Sequence, residues 1–209
     1  MVGLDIGSSS IKAVELKKTG KDIEVIHMGL EPLAPEIVVD GAIVDTGQVS
    51  NTITRILTDQ KFKTKAVATS VSGHSVIVKK LSMAPMTDDE LANNIQMEAA
   101  QHIPFDIQEV NLDYQVLDSS PDNPNMDVLL VAVKKDKISD YTSVISQAGR
   151  QPMIVDVDVF ALQNCYEVNY GQDAGKVVAL LNVGASIMNI NILRGDRKST
   201  RLNSSHITI

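Results

Sequence analysis

Apolar positions in this chain come in two spacings, and Gly, Ser and Pro mark where one gives way to the other. Residues 2–6 (VGLDI) form a continuous apolar run broken only by Gly3 and Asp5, and in 11–16 (IKAVEL) Ile11, Ala13 and Val14 are apolar while Lys12 and Glu15 face elsewhere. Both patterns predict strands, and the Gly7-Ser8-Ser9-Ser10 segment between them predicts a tight hairpin turn. Residues 22–30 continue as a third strand, with Ile23, Val25 and His27 on one face, so an antiparallel meander is expected. Pro32, Pro35 and Gly41 mark a loop. Val49, Ile53, Ile56 and Leu57 then recur at helical spacing, which predicts a helix over 48–60, and 66–71 (AVATSV) predict a short apolar strand.

The middle of the chain reads as a compact unit of its own. A strand is predicted over 75–81. Thr87 and Glu90 form a capping box that starts a helix running to about 102, where Pro104 ends it. Strands follow at 110–117 and 126–133, separated by an exposed loop at 119–125, and a helix spans 136–148 with Gly149 as its stop. The β-α-β-β-α order suits a small sheet with its helices on one face. Beyond it come a strand at 153–157, a helix at 159–170 and a strand at 177–183 (VVALLNV). A second tight turn at Gly184-Ala185-Ser186 leads to a returning strand at 187–193.

Two strand–turn–strand units thus recur, LDIGSSSIKAV and LNVGASIMNI. Such a turn suits a phosphate. Glycine lets the backbone approach an anion closely, successive turn amides form a nest for negative charge, and serine hydroxyls add donors. Lys12 lies just past the first turn to neutralise the charge. Asp5 ends the first strand, where one carboxylate can hold Mg²⁺ through water, because that ion keeps most of its waters. The chain carries neither a GxxxxGK[ST] loop nor a GxGxxG loop.

Composition narrows the function. The 209 residues carry 19 Lys+Arg against 26 Asp+Glu, and a net charge of −7 argues against nucleic acid or an anionic membrane as the main partner. Aromatics are 3% and Trp is absent, so no stacking platform for bases is expected. The single cysteine, Cys165, rules out a disulfide framework within the chain and is read as a small core residue. No run approaches the ~20 apolar residues of a membrane-spanning helix. His27 has no second ligand at metal spacing and is read as a satisfied or surface histidine.

The string D-x-G-S-S-x-x-K between apolar strands resembles the first phosphate loop of the actin, Hsp70 and sugar-kinase superfamily. Four stretches, the first of them containing that string, narrow the likeness: LDIGSSSIKAVEL, EAAQHIPF (98–105), VDVDVFALQN (155–164) and NVGASIMNINIL. Together they resemble the type IV pilus assembly protein PilM family, which is similar to the cell-division scaffold FtsA. The resemblance implies an α/β, actin-like (ribonuclease H-like) fold. Subdomain 1A would comprise 1–73 and 152–195, and an inserted α+β subdomain, 1C, would comprise 74–151. It also implies ATP and Mg²⁺ as cofactors. Asp5, Gly7, Ser8, Ser9, Ser10 and Lys12 would form the first phosphate loop, with Asp5 on the metal side. Asn182, Gly184, Ala185 and Ser186 would form the second. Asp156 or Asp158 would face the nucleotide cleft, although Asp158 is equally placed to cap the helix that follows.

The implied role is a cytoplasmic scaffold, peripheral to the inner membrane through its partners, in the type IV pilus assembly platform. Its partners would be the N-terminal cytoplasmic peptide of PilN, held between 1A and 1C, and other platform proteins. Neither nucleic acid nor direct membrane insertion is expected. Asn182 stands where the superfamily usually has Asp, so at most slow ATP hydrolysis is expected. The alternatives are an FtsA-like division scaffold and a small-molecule kinase of the same superfamily. A few residues are expected to precede the first strand in the native protein, and the chain is expected to stop before the second half of an actin-like protein, which would leave this fragment without ATPase activity. Residues 196–209 (DRKSTRLNSSHITI) lack periodicity and resemble translated sequencing-adapter tails. They are left out of the expected fold, and Arg197, Arg201 and His206 are given no functional weight.

Overall fold

A computed structural model describes residues 1–118, 124–171, 175–196, 199–200 and 203–208. In chain order the elements are β1 (Val2–Ile6), β2 (Ser10–Thr19), β3 (Asp22–Pro32), β4 (Val38–Val39), β5 (Ala42–Ile43), α1 (Thr46–Asp59), β6 (Ala66–Val71) and β7 (Val76–Met83). They continue as α2 (Asp88–His102), a short 3-10 turn (Ile107–Glu109), β8 (Val110–Asp118), β9 (Met126–Lys134), α3 (Lys135–Gln147), β10 (Gln151–Val157) and α4 (Asp158–Tyr170). The last are β11 (Val177–Val183), β12 (Ile187–Asp196), β13 (Ser199–Thr200) and β14 (Asn203–Thr208). Of the exposed loop predicted at 119–125, residues 119–123 lie outside the described residues.

The expected meander opens a five-stranded sheet of order β10-β6-β1-β2-β3. Its first three strands run parallel, and β1, β2 and β3 are antiparallel neighbours. One face carries Val2, Leu4 and Ile6 of β1, Ile11 and Ala13 of β2, and Val67 and Val71 of β6, all buried. Val49, Ile53, Ile56 and Leu57 of α1 close over that face, all four at most 1% exposed. Burying such side chains stabilises by roughly 1.5–3 kcal/mol each, which holds α1 on the sheet. Asp45 caps α1 by accepting from the Gln48 amide at 2.9 Å.

A separate three-stranded antiparallel sheet has the order β7-β9-β8. Leu81, Val128, Leu130 and Ala132 pack there against Leu91, Ile95 and Ala99 of α2. The capping box that starts α2 is present: Glu90 accepts from the Thr87 amide at 2.8 Å, and Thr87 accepts from the Glu90 amide at 3.3 Å. α3 follows this sheet in the chain but does not share its core. Tyr141, Val144 and Ile145 join the core of the five-stranded sheet and α1. β11 and β12 likewise stand outside the five-stranded sheet and pair with each other, residue 177 opposite 194 through 183 opposite 188.

Three local expectations differ from the structure. The face predicted for β3 is largely open: Ile23 and Val25 are 48% and 55% exposed, and of its three positions only His27 is half-buried. β3 is the edge of its sheet, and a register shift between Glu15 and Leu16 interrupts the alternation that the sequence pattern assumed. Cys165 is exposed rather than part of a core, because α4 buries only Val159. Residues left out of the expected fold also pair: Asn203–Thr208 runs antiparallel to β12. An open strand edge offers backbone hydrogen bonds to any extended segment, with or without apolar periodicity.

Candidate phosphate site between two hairpins

The two predicted turns close in the same way. The Gly7 amide donates to the Ser10 carbonyl at 3.1 Å, and the Gly184 amide donates to the Ile187 carbonyl at 3.0 Å. Both turns need glycine for room. A β-carbon on Gly7 would lie 3.1 Å from the Ser10 carbonyl oxygen, and one on Gly184 would lie 2.8 Å from that of Ile187. The residue two before each glycine sits opposite a strand partner. In the first hairpin that pair is Asp5 and Lys12, joined at 2.8 Å. In the second it is the uncharged pair Asn182 and Asn189.

Tertiary folding brings the two hairpins to one pocket of about 100 Å³. Asp5, Gly7, Ser8, Ser9 and Lys12 line it from the first hairpin, and Asn182, Gly184, Ala185 and Ser186 from the second. The Ser186 hydroxyl reaches the Ser8 hydroxyl at 2.9 Å. Asp158 lines the same pocket from the start of α4. It makes no side-chain capping bond, and Val157 occupies the cap position, so the pocket rather than the cap takes this carboxylate.

Two predicted residues lie elsewhere. Ser10 is buried and absent from the pocket wall, because β2 has already begun there and its carbonyl closes the turn. Asp156 faces a groove instead of the pocket. Alternation along β10 sends residues 156 and 157 to opposite faces, and the helix begins only at Asp158. Burial pushes the Asp156 carboxyl up, opposed by the hydrogen bond it accepts from the Val157 amide at 2.7 Å.

Beyond Ile6, Ile187 and Asn189 of the two hairpins themselves, sequence reasoning missed four residues of the wall: Gly41, Ser70, Ser72 and Tyr141. Their positions carry no local signal for a phosphate. Burial pushes the Tyr141 hydroxyl well above its ordinary range, reinforced by the negative charge of Asp158, Asp5 and Asp140, so it acts as a hydrogen-bond donor. Among the described residues no group of three or more His, Cys, Asp or Glu is placed to hold a metal. Asp5 and Asp158 supply single carboxylates, a set that suits a hydrated Mg²⁺ held chiefly by its waters.

The profile of the family described as type IV pilus assembly protein PilM matches residues 3–200. The chain belongs to that family. A chain of a solved PilM-PilN type IV pilus biogenesis complex superposes with a TM-score of 0.87 at 24% identity, over 99% of this chain and 61% of that one. The chain therefore spans about three-fifths of that PilM-family structure. The cytoplasmic domain of EpsL, an inner-membrane component of the type II secretion system of Vibrio cholerae, matches at TM-score 0.58 and 13% identity, over 99% of this chain and 70% of that one. A Bacteroides thetaiotaomicron protein with an actin-like ATPase fold matches at 0.51 and 9% identity, over 100% and 70%. The fold of this PilM-family chain is actin-like. Among its described residues no helix is long and apolar enough to cross a membrane.

A second concavity, of about 440 Å³, runs between α4 and the three-stranded sheet. Tyr114, Leu117, Leu129 and Val131 line it from the sheet side, and Phe160 and Gln163 from α4. Asp113, Asp156 and Glu167 add carboxylates at its walls.

Proposed function

We propose that the chain is a nucleotide-binding, actin-like scaffold of the type IV pilus assembly platform, held at the cytoplasmic side of the inner membrane by its partners. Its principal partner is the N-terminal peptide of PilN. The observation that carries this reading is the groove between α4 and the β7-β9-β8 sheet, in a family whose solved relative is a PilM-PilN complex. An extended peptide there would bury apolar side chains on Leu129, Val131 and Phe160 and gain backbone hydrogen bonds. Residues 1–73 and 152–195 would form subdomain 1A and residues 74–151 the inserted subdomain 1C, with Tyr141, Val144 and Ile145 of α3 packed into the 1A core. Other platform proteins would attach to the same scaffold.

ATP phosphates would lie between the two hairpins. The amides and hydroxyls of Ser8, Ser9 and Ser186 would donate to them, and Lys12 would leave Asp5 to meet their charge. Mg²⁺ would lend positive charge to the phosphates, with Asp5 and Asp158 as partners of its waters. Asn182 supplies an amide where a carboxylate would orient an attacking water, so nucleotide acts here as a structural ligand or switch rather than a rapidly consumed substrate. Rapid Mg²⁺-dependent ATP turnover by this chain would count against that role.

Calorimetric titration with the N-terminal peptide of the PilN homologue from the same genome tests the scaffold reading. Saturable binding that Phe160→Ala weakens supports it. A folded sample that takes up no peptide overturns it.

A further inference from the structure

Lys137, on α3, is 6% exposed. Among the described residues no carboxylate makes an ion pair with it. Its Nζ donates to the Gly41 carbonyl and lies 4.9 Å from the centre of the Tyr141 ring. The Tyr141 hydroxyl donates to the same carbonyl at 2.9 Å. An ammonium has three donors and a strong preference for water, so a buried one with these partners is under-compensated.

Gly41 is part of the phosphate pocket wall. It forms, with Asp40, the two-residue turn between β4 and β5, and both have positive φ, 49° and 75°, as a tight hairpin of this length requires. The turn is wedged against the second hairpin. A β-carbon on Gly41 would stand 2.9 Å from Lys137 Nζ and 3.9 Å from Ile187 Cδ1, and one on Gly73 would meet the Asp40 carbonyl oxygen at 2.9 Å. Lys137 and Tyr141 together occupy both lone pairs of the Gly41 carbonyl, so a phosphate at this wall meets no bare acceptor.

We propose that Lys137 is a positioning residue of the phosphate site: it pins the Gly41 turn with Tyr141 and supplies a buried countercharge for an anionic ligand in the pocket. The inference rests on the phosphate reading of that pocket. Coulombic attraction across one residue's thickness is poorly screened away from water, so ligand charge and Lys137 charge stabilise each other. The groups that face Lys137 are Asp136, Asp140 and Tyr141 of α3 and Asp158 of α4. Burial pulls its ammonium below the usual lysine range, and the three carboxylates oppose that pull.

The test uses this chain with inorganic tripolyphosphate, read by calorimetry, for wild type, Lys137→Met and Tyr141→Phe. Lys137→Met is expected to bind about tenfold more weakly, the scale of one charge-assisted contact. Its thermal midpoint is expected to stay level or rise, because an under-compensated buried charge has been removed. Wild-type affinity is expected to fall more steeply than that of Lys137→Met as pH rises toward the ordinary lysine range. If Lys137→Met does not fold, Tyr141→Phe, which keeps the ring, is expected to weaken binding about threefold. Wild-type and Lys137→Met chains with equal affinities and superimposable pH profiles overturn the inference and leave the phosphate reading standing. A wild-type chain that binds no tripolyphosphate overturns both.

Discussion

The Ser186 hydroxyl donates to the Ser8 hydroxyl at 2.9 Å, and the two residues lie 178 apart in the chain. This bond ties the tips of the two hairpins across the candidate phosphate site. Both hydroxyls belong to turns that line the same pocket, so an incoming phosphate would replace this contact with two stronger ones. Ser8→Ala and Ser186→Ala are each expected to weaken Mg-ATP binding about fivefold, near 1 kcal/mol per lost hydrogen bond. The double variant should show less than the summed loss, because the hydroxyls share a partner. Calorimetry on the four chains measures the coupling, and strict additivity would count against a shared phosphate.

Lys12 separates binding from stability. Its ion pair with Asp5 is about half exposed on both sides, 52% and 54%. Such pairs contribute about 0–1 kcal/mol to folding. Lys12→Ala is therefore expected to leave the thermal midpoint nearly unchanged while lowering nucleotide affinity at least about tenfold. Paired melting and titration curves check this, and loss of stability with unchanged affinity would contradict it.

Glu15 gives the fold an acid-sensitive point. It is 7% exposed, accepts from the Thr64 hydroxyl, and meets His27 Nδ1 at 3.1 Å, so His27 is a satisfied histidine as its sequence context suggested. The Thr64 hydrogen bond and, behind it, His27 hold the Glu15 carboxyl below its ordinary 4.5, against the opposing effect of burial. A carboxyl lowered by folding stabilises fully above its unfolded value. That contribution is lost as pH falls through the folded one. The thermal midpoint should drop from pH 5 to pH 3 more steeply in wild type than in Glu15→Gln. Parallel curves would remove Glu15 from the account.

The open side of β3 predicts a solubility effect. Met28 and Leu30, 72% and 60% exposed, stand opposite Val14 and Lys12 on an edge strand. Exposed apolar edges favour association. Met28→Glu is expected to raise the soluble concentration limit and to change stability by less than about 0.5 kcal/mol. Light scattering and melting curves on the two chains decide it.

Much of the architecture was legible because its signals are local. Ala66–Val71 and Val177–Val183 emerge from sequence with the bounds they have in the structure, since strand and helix periodicities need only neighbouring residues. The capping box at Thr87 and Glu90 is a contact across three positions and is equally readable. The glycines of both turns were legible as tight-turn residues that let the backbone approach an anion, and the structure adds that a β-carbon at either would crowd a carbonyl oxygen.

Local pattern determined the two hairpins and most elements, and the resemblance of four stretches of sequence pointed to the family. Only tertiary structure decided that the hairpins face each other, that Asp158 and not Asp156 enters the pocket, and that α3 packs on the larger sheet. It alone placed Lys137 and Tyr141 behind Gly41, 96 and 100 positions away in the chain. The physical reason is reach. Periodicity and turn chemistry act over a few residues, whereas a pocket is made by burial, which joins residues that carry no mark of each other in the sequence.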